Sequence, residues 1–140
     1  MSTFELKTHQ IGKTYTQPHF FILNKGLNSG KPLSCPCPNC FVVITKKESE
    51  KNMLFQISAI LQISGFYKVS LKGSVIPFIS VKDCSNTLKK GCLAINKGGE
   101  KSKKHLKAIA LIIKKENELK STLKKINQLK IAYMQSTIKT

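Results

Sequence analysis

The chain reads as an α+β protein: a small, mainly antiparallel sheet of about four to five strands, one covering helix, and a long basic C-terminal helix. Three observations carry that class. Short runs of aromatic and β-branched residues occupy the first half, apolar residues recur at three-four spacing between Lys47 and Ser64, and neither glycine nor proline occurs from Lys101 onward. The expected organisation is an α+β body over residues 1–99, with a turn-rich loop at 24–40, followed by a basic amphipathic helix over residues 100–140.

Phe4 and Leu6 alternate with polar residues between Thr3 and Thr8, which suits a strand. His19 to Leu23 is a second strand, stopped by Asn24-Lys25-Gly26. The stretch from Asn24 to Asn39 is crowded with glycine, proline and asparagine, so an ordered loop is expected there. Phe41-Val42-Val43-Ile44-Thr45 has the bulk and branching of a buried strand. Met53, Leu54, Ile57, Ile60 and Leu61 define one face of a helix whose first turn carries Glu48 and Glu50, where the helix dipole favours acids. Tyr67 to Leu71 and Val75 to Val81 then predict a hairpin, with Pro77 confining the second strand to an edge. The polar segment from Lys82 to Gly99, containing Gly91, reads as loop.

All 24 basic residues are lysines, against seven acids, for a net charge of +17. An AT-rich coding sequence would enrich lysine alongside the 15 isoleucines, but it would enrich glutamate equally, so the scarcity of acids is the informative half. Such a charge attracts polyanions, and nucleic acid is the leading partner. Residues 101–140 hold 11 of the lysines and two acids. On a helical wheel Lys103, Lys107, Lys114 and Lys125 oppose a stripe of Ile109, Ile112, Ile113, Leu119, Leu123, Ile126 and Tyr133, whose drift is near-heptad and whose run includes Glu116. Lys103, Lys104, Lys107, Lys114, Lys115, Lys124 and Lys125 are the candidate phosphate contacts. Lacking arginine, the chain is poorly equipped for dense bidentate reading of guanine.

Cys37 and Cys40 have the two-residue spacing of half a zinc knuckle, although Phe41 replaces the glycine that usually follows. No cofactor is required by the rest of the sequence. If zinc binds, the remaining ligands come from Cys35, Cys84, Cys92 or His19, brought close by folding. The alternative is a proline-stiffened turn with buried thiols. Gly26-Leu27-Asn28-Ser29-Gly30-Lys31 invites comparison with a phosphate-binding loop; Lys25, Gly26, Ser29, Gly30 and Lys31 are its candidate anion contacts. The glycine spacing is one residue short and Pro32 replaces the magnesium-binding hydroxyl, which favours a structural turn. Acids are too few and too scattered for two-metal hydrolysis. No protease-like signature surrounds a cysteine, although His9, His19 and His105 are available as bases. No enzymatic constellation therefore stands out.

No run of about 18 to 20 apolar residues is present, and the start Met-Ser-Thr-Phe-Glu lacks the pattern of a signal sequence, so a cytoplasmic location is expected. A role at the membrane surface is disfavoured by the absence of tryptophan. The run His19-Phe20-Phe21-Ile22-Leu23-Asn24-Lys25-Gly26-Leu27-Asn28-Ser29-Gly30-Lys31-Pro32-Leu33, continuing at Pro38-Asn39-Cys40-Phe41, resembles a family of short uncharacterised proteins of bacterial mobile elements and phages. That resemblance implies an accessory role and transfers no catalytic residue. The expected function is nonspecific nucleic-acid binding by a non-enzymatic accessory protein. The alternative is a protein-interaction or assembly module that uses the apolar stripe of the C-terminal helix, by self-association or with another protein.

Overall fold

The structure, a computed structural model, describes residues 3–139. Four strands form one antiparallel sheet in the order β1-β4-β2-β3: β1 is Glu5–Thr8, β2 His19–Leu23, β3 Pro32–Leu33 and β4 Cys40–Ile44. The register pairs Leu6 and Phe20 with Val43 and sets Ile22 opposite Phe41. Period-two alternation then sends Phe20, Ile22, Phe41 and Val43 to one face and Phe21, Cys40, Val42 and Ile44 to the other. Both sets are buried, which is why β4 reads as a continuous apolar run.

The first face is covered by two helices, α1 (Glu48–Ile63) and α2 (Val81–Lys97). Helix α1 contributes Leu54, Ile57 and Leu61, and α2 contributes Cys84, Leu88 and Cys92. Each large side chain so buried stabilises the body by about 1.5–3 kcal/mol relative to exposure. Helix α1 ends in a Schellman motif: the Phe66 amide donates to the Leu61 carbonyl, and that of Gly65 to Gln62.

Helix α2 corrects the expectation of a polar loop from Lys82 to Gly99. Its Ser80 side chain accepts from the Asp83 amide at 3.1 Å, capping the N-terminus, and Asp83 lies in the first turn. Its buried face is built from small residues, Cys84, Gly91 and Cys92 around Leu88, so the pattern is easily missed. Gly91 is the contact point between helices, since a Cβ there would lie 2.8 Å from Leu61 Cδ1 and 3.0 Å from Ile57 Cγ2.

The expected hairpin at Tyr67–Leu71 and Val75–Val81 is also replaced. Lys68–Ser70 forms a 3-10 turn, and Lys72 and Phe78 bridge through two 2.9 Å backbone hydrogen bonds, with Phe78 also bridging to Lys25. Residues 77–79 turn instead to the loop after β2. The Gly26 amide donates to the Pro77 carbonyl at 2.7 Å, and the Ile79 amide to Asn24 at 3.0 Å. Pro77 supplies no amide for a ladder of its own.

The chain divides into two units between Gly99 and Glu100. Helix α3 (Gly99–Ile138) runs for 40 residues without interruption, about 60 Å, and none of its residues is buried.

Candidate functional site

Helix α3 carries the candidate polyanion contacts. At roughly 100° per residue, Lys103, Lys107, Lys114 and Lys125 fall within about 40° of one another, while Ile112, Leu119, Leu123 and Ile126 centre on the opposite side. Lys103 pairs with Glu100 at 3.3 Å and Lys115 with Glu118 at 4.0 Å. Among the described residues, Lys104, Lys107, Lys114, Lys124 and Lys125 form no ion pair. Surface pairs of this kind contribute at most about 1 kcal/mol, so Lys103 and Lys115 remain available to a phosphate. The apolar side is open as well: Ile112 is 67% exposed and Leu123 66%.

The loop from Asn24 to Asn39 is a structural device. Its candidate anion donors are already engaged, because the amides of Gly26, Ser29, Gly30 and Lys31 donate to the carbonyls of Pro77, Gly26, Leu23 and Asn28. The Ser29 hydroxyl also turns inward, donating to the Gly26 carbonyl at 2.7 Å. Amides committed to the fold cannot wrap an anion, which supports the structural turn that the glycine spacing and Pro32 favour. Lys25 and Lys31 are left as exposed lysines on its rim.

Gly30 anchors this loop to the core. Its φ is +101°, and a Cβ at this position would lie 2.2 Å from Cδ2 of Tyr67, whose side chain is 1% exposed. The Gly30 carbonyl accepts the Ser58 hydroxyl at 2.9 Å, which leaves Tyr67 as donor to Ser58 Oγ at 3.2 Å. Burial pushes the Tyr67 phenol well above its ordinary range. Ser58 and Tyr67 are the residues that sequence reasoning missed. The only available signal was a serine inside the apolar face of α1, and a lone serine there does not announce a partner 28 positions away.

The cysteines do not assemble. Cys84 and Cys92 lie in the core between sheet and helices, whereas Cys40 and Cys37 belong to the cluster on the other face of the sheet. The sheet separates these two pairs, which favours the proline-stiffened turn with buried thiols over convergence on one zinc ion. Among the described residues, no group of three or more histidine, cysteine, aspartate or glutamate side chains is arranged to hold a metal. Cys40 donates its thiol to the Cys37 carbonyl at 3.1 Å, and burial raises its pKa, which favours a structural thiol. Burial likewise pushes Cys84 up to about 12. Cys35 is exposed.

His9 and His19 join an aromatic cluster, whereas His105 is an exposed residue of α3. His9 Nδ1 lies 2.9 Å from the Tyr15 hydroxyl, His19 Nδ1 donates to the Gln17 carbonyl at 2.8 Å, and both rings stand edge-on to Phe21. His9 and Cys37 line one shallow cleft of 220 Å³, but the Cys37 thiol donates to the Asn39 carbonyl and the His9 ring engages Tyr15. A base already oriented toward a phenol is not poised to activate that thiol.

One feature of the body has no local sequence signal. An apolar groove of 380 Å³ opens between α1, α2 and the 3-10 turn, lined by Ile57, Ile60, Leu61, Phe66, Val69 and Ile95 among others. Among the described residues, no helix is long and apolar enough to cross a membrane.

No curated protein and no solved structure matches the chain. A family model does match, over residues 6–136, which takes in the sheet, the Asn24–Asn39 loop, α1, α2 and nearly all of α3. The chain belongs to the family of unknown function DUF6943.

Proposed function

We propose that this is a non-enzymatic accessory protein that binds nucleic acid nonspecifically through α3, in a role of the kind that mobile elements and phages carry. The observation that supports it is the exposed face formed by Lys103, Lys107, Lys114 and Lys125, on a helix with ten lysines and three acids. Those four lysines span about 33 Å along the axis, a reach that meets several successive phosphates of a duplex. Lysine ammonium groups on a helical rod neutralise charge and release counterions without discriminating bases. The test is fluorescence anisotropy of labelled duplex DNA and of labelled RNA with the full chain at low ionic strength. Micromolar affinity for both is expected; absence of binding to either refutes the reading.

A second reading is favoured by a specific observation: α3 buries none of its residues and presents Ile112, Leu119, Leu123 and Ile126 to solvent. An apolar row of this length on an exposed helix marks an interaction surface. In this reading α3 is an assembly element whose lysines keep the stripe soluble. Sedimentation velocity of the chain alone and with partners separates the two, because nucleic-acid binding through the lysine face leaves the stripe uncovered.

A further inference from the structure

We propose that the distal stripe of α3 docks an acidic amphipathic helix of a different protein, in preference to a second copy of this chain. The proposal rests on the assembly reading and names the partner that reading requires. Ile112, Leu119 and Ile126 repeat every seven residues, and Leu123 falls at the intervening core position, so they take the d and a places of a heptad frame. Glu116 and Lys130 then occupy the other two a places. Lys115 and Lys120 flank the stripe at g and e.

A second copy fits this frame poorly. In parallel register Glu116 meets Glu116, Lys130 meets Lys130, and Lys115 of each copy faces Lys120 of the other, four like-charge contacts within about three heptads. Antiparallel pairing sets e against e and g against g, and α3 has no acid at any e or g position. Each copy also brings ten lysines and three acids to the contact. The ion pairs already present, Lys120 to Glu116 at 3.6 Å and Lys115 to Glu118 at 4.0 Å, are exposed and too weak to remove this repulsion. A partner with glutamates at its own e and g places converts the flanking contacts into attraction while its leucines cover the stripe. Complementary charge therefore selects the acidic helix, and like charge excludes the copy.

The test uses the full chain and three synthetic peptides of about four heptads each. The first has leucine at a and d with glutamate at e and g. The second replaces those glutamates with lysine, and the third keeps the glutamates but has serine at a and d. Sedimentation equilibrium with the first peptide is expected to show a one-to-one complex at least about tenfold tighter than with either of the others. The complex is expected to be lost in Leu119→Asn/Leu123→Asn, with DNA affinity changed less than about twofold. Equal binding of the serine peptide overturns the proposal, because lysines alone then suffice. Self-association of the chain that is abolished by the same double variant assigns the stripe to a second copy and also overturns it. Anionic vesicle binding abolished by that variant, with no peptide complex, assigns it to a membrane. Failure to bind any peptide, with no self-association, removes the assembly reading itself.

Discussion

Replacing Gly30 with alanine tests whether the Asn24–Asn39 loop is a structural lock. Its new Cβ would lie 2.2 Å from Tyr67 Cδ2 and 2.5 Å from Cγ, where carbon atoms ordinarily approach to about 3.5–4.0 Å. A ring 1% exposed cannot retreat by more than about 1 Å without losing packing and its hydrogen bond to Ser58. The positive φ adds about 1–2 kcal/mol for any residue with a Cβ. Ring displacement in a core adds roughly 1–3 kcal/mol, the cost of overpacking. Together Gly30→Ala should destabilise by about 2–5 kcal/mol, a large share of the roughly 5–15 kcal/mol typical of a domain. Gly26→Ala is the control, because its φ of +96° carries the same backbone cost and nothing lies within 4 Å of its Cβ. Urea denaturation followed by circular dichroism measures both. The double variant Gly30→Ala/Tyr67→Ala should cost less than the sum of its parts, since the clash disappears with the ring. If Gly30→Ala costs no more than Gly26→Ala, the contact with Tyr67 is not what fixes this loop.

Ser58→Ala leaves the buried Gly30 carbonyl without the donor it has here and takes the acceptor from Tyr67, so a loss of about 2–4 kcal/mol is expected in the same assay. Leu88→Ala in α2, at a site with 0% exposure, should cost about 2–5 kcal/mol, whereas Leu129→Ala on exposed α3 should cost under about 0.5 kcal/mol in the isolated chain. A low cost at Leu88 would contradict the packing of α2 on the sheet. Cys84 ionises near 9.0 when unfolded and is pushed up to about 12 by burial, so the folded state holds its proton after the unfolded state has lost it. Its contribution is complete below pH about 9 and declines from there toward pH 12, by roughly 1.4 kcal/mol per unit. Cys84→Ala should flatten that alkaline decline in urea midpoints, and an unchanged slope would remove Cys84 as its source.

The elements with strong periodicity were legible in the residues. The strand His19–Leu23, helix α1 and the long C-terminal helix lie where apolar spacing and the lack of breakers put them, because local pattern and tertiary burial agree there. Helix α2 is hard to read because its buried face sets Leu88 among Cys84, Gly91 and Cys92, which carry little hydrophobic signal, and because a glycine required for close helix packing looks like a loop marker. The hairpin failed for a different reason: Phe78 and its neighbours pair with the loop after β2, a long-range competition that local turn chemistry does not encode. In the candidate site, the lysine face of α3 followed directly from helical period. In the loop at residues 26–31 the glycine spacing and Pro32 already point to a structural turn, and the tertiary structure adds the carbonyls that its amides bond.

The salt dependence of DNA binding tests the central proposal most directly. Anisotropy titrations of duplex DNA with the full chain, across a range of potassium chloride, should give a line of log affinity against log salt with a slope of about −4 to −6, for five or six neutralised phosphates. Lys103→Gln/Lys107→Gln/Lys114→Gln/Lys125→Gln should reduce the slope by about 3 to 4 and weaken binding alike for unrelated sequences. A slope unchanged by the fourfold variant, with affinity intact, would contradict the assignment of the lysine face of α3 as the nucleic-acid surface.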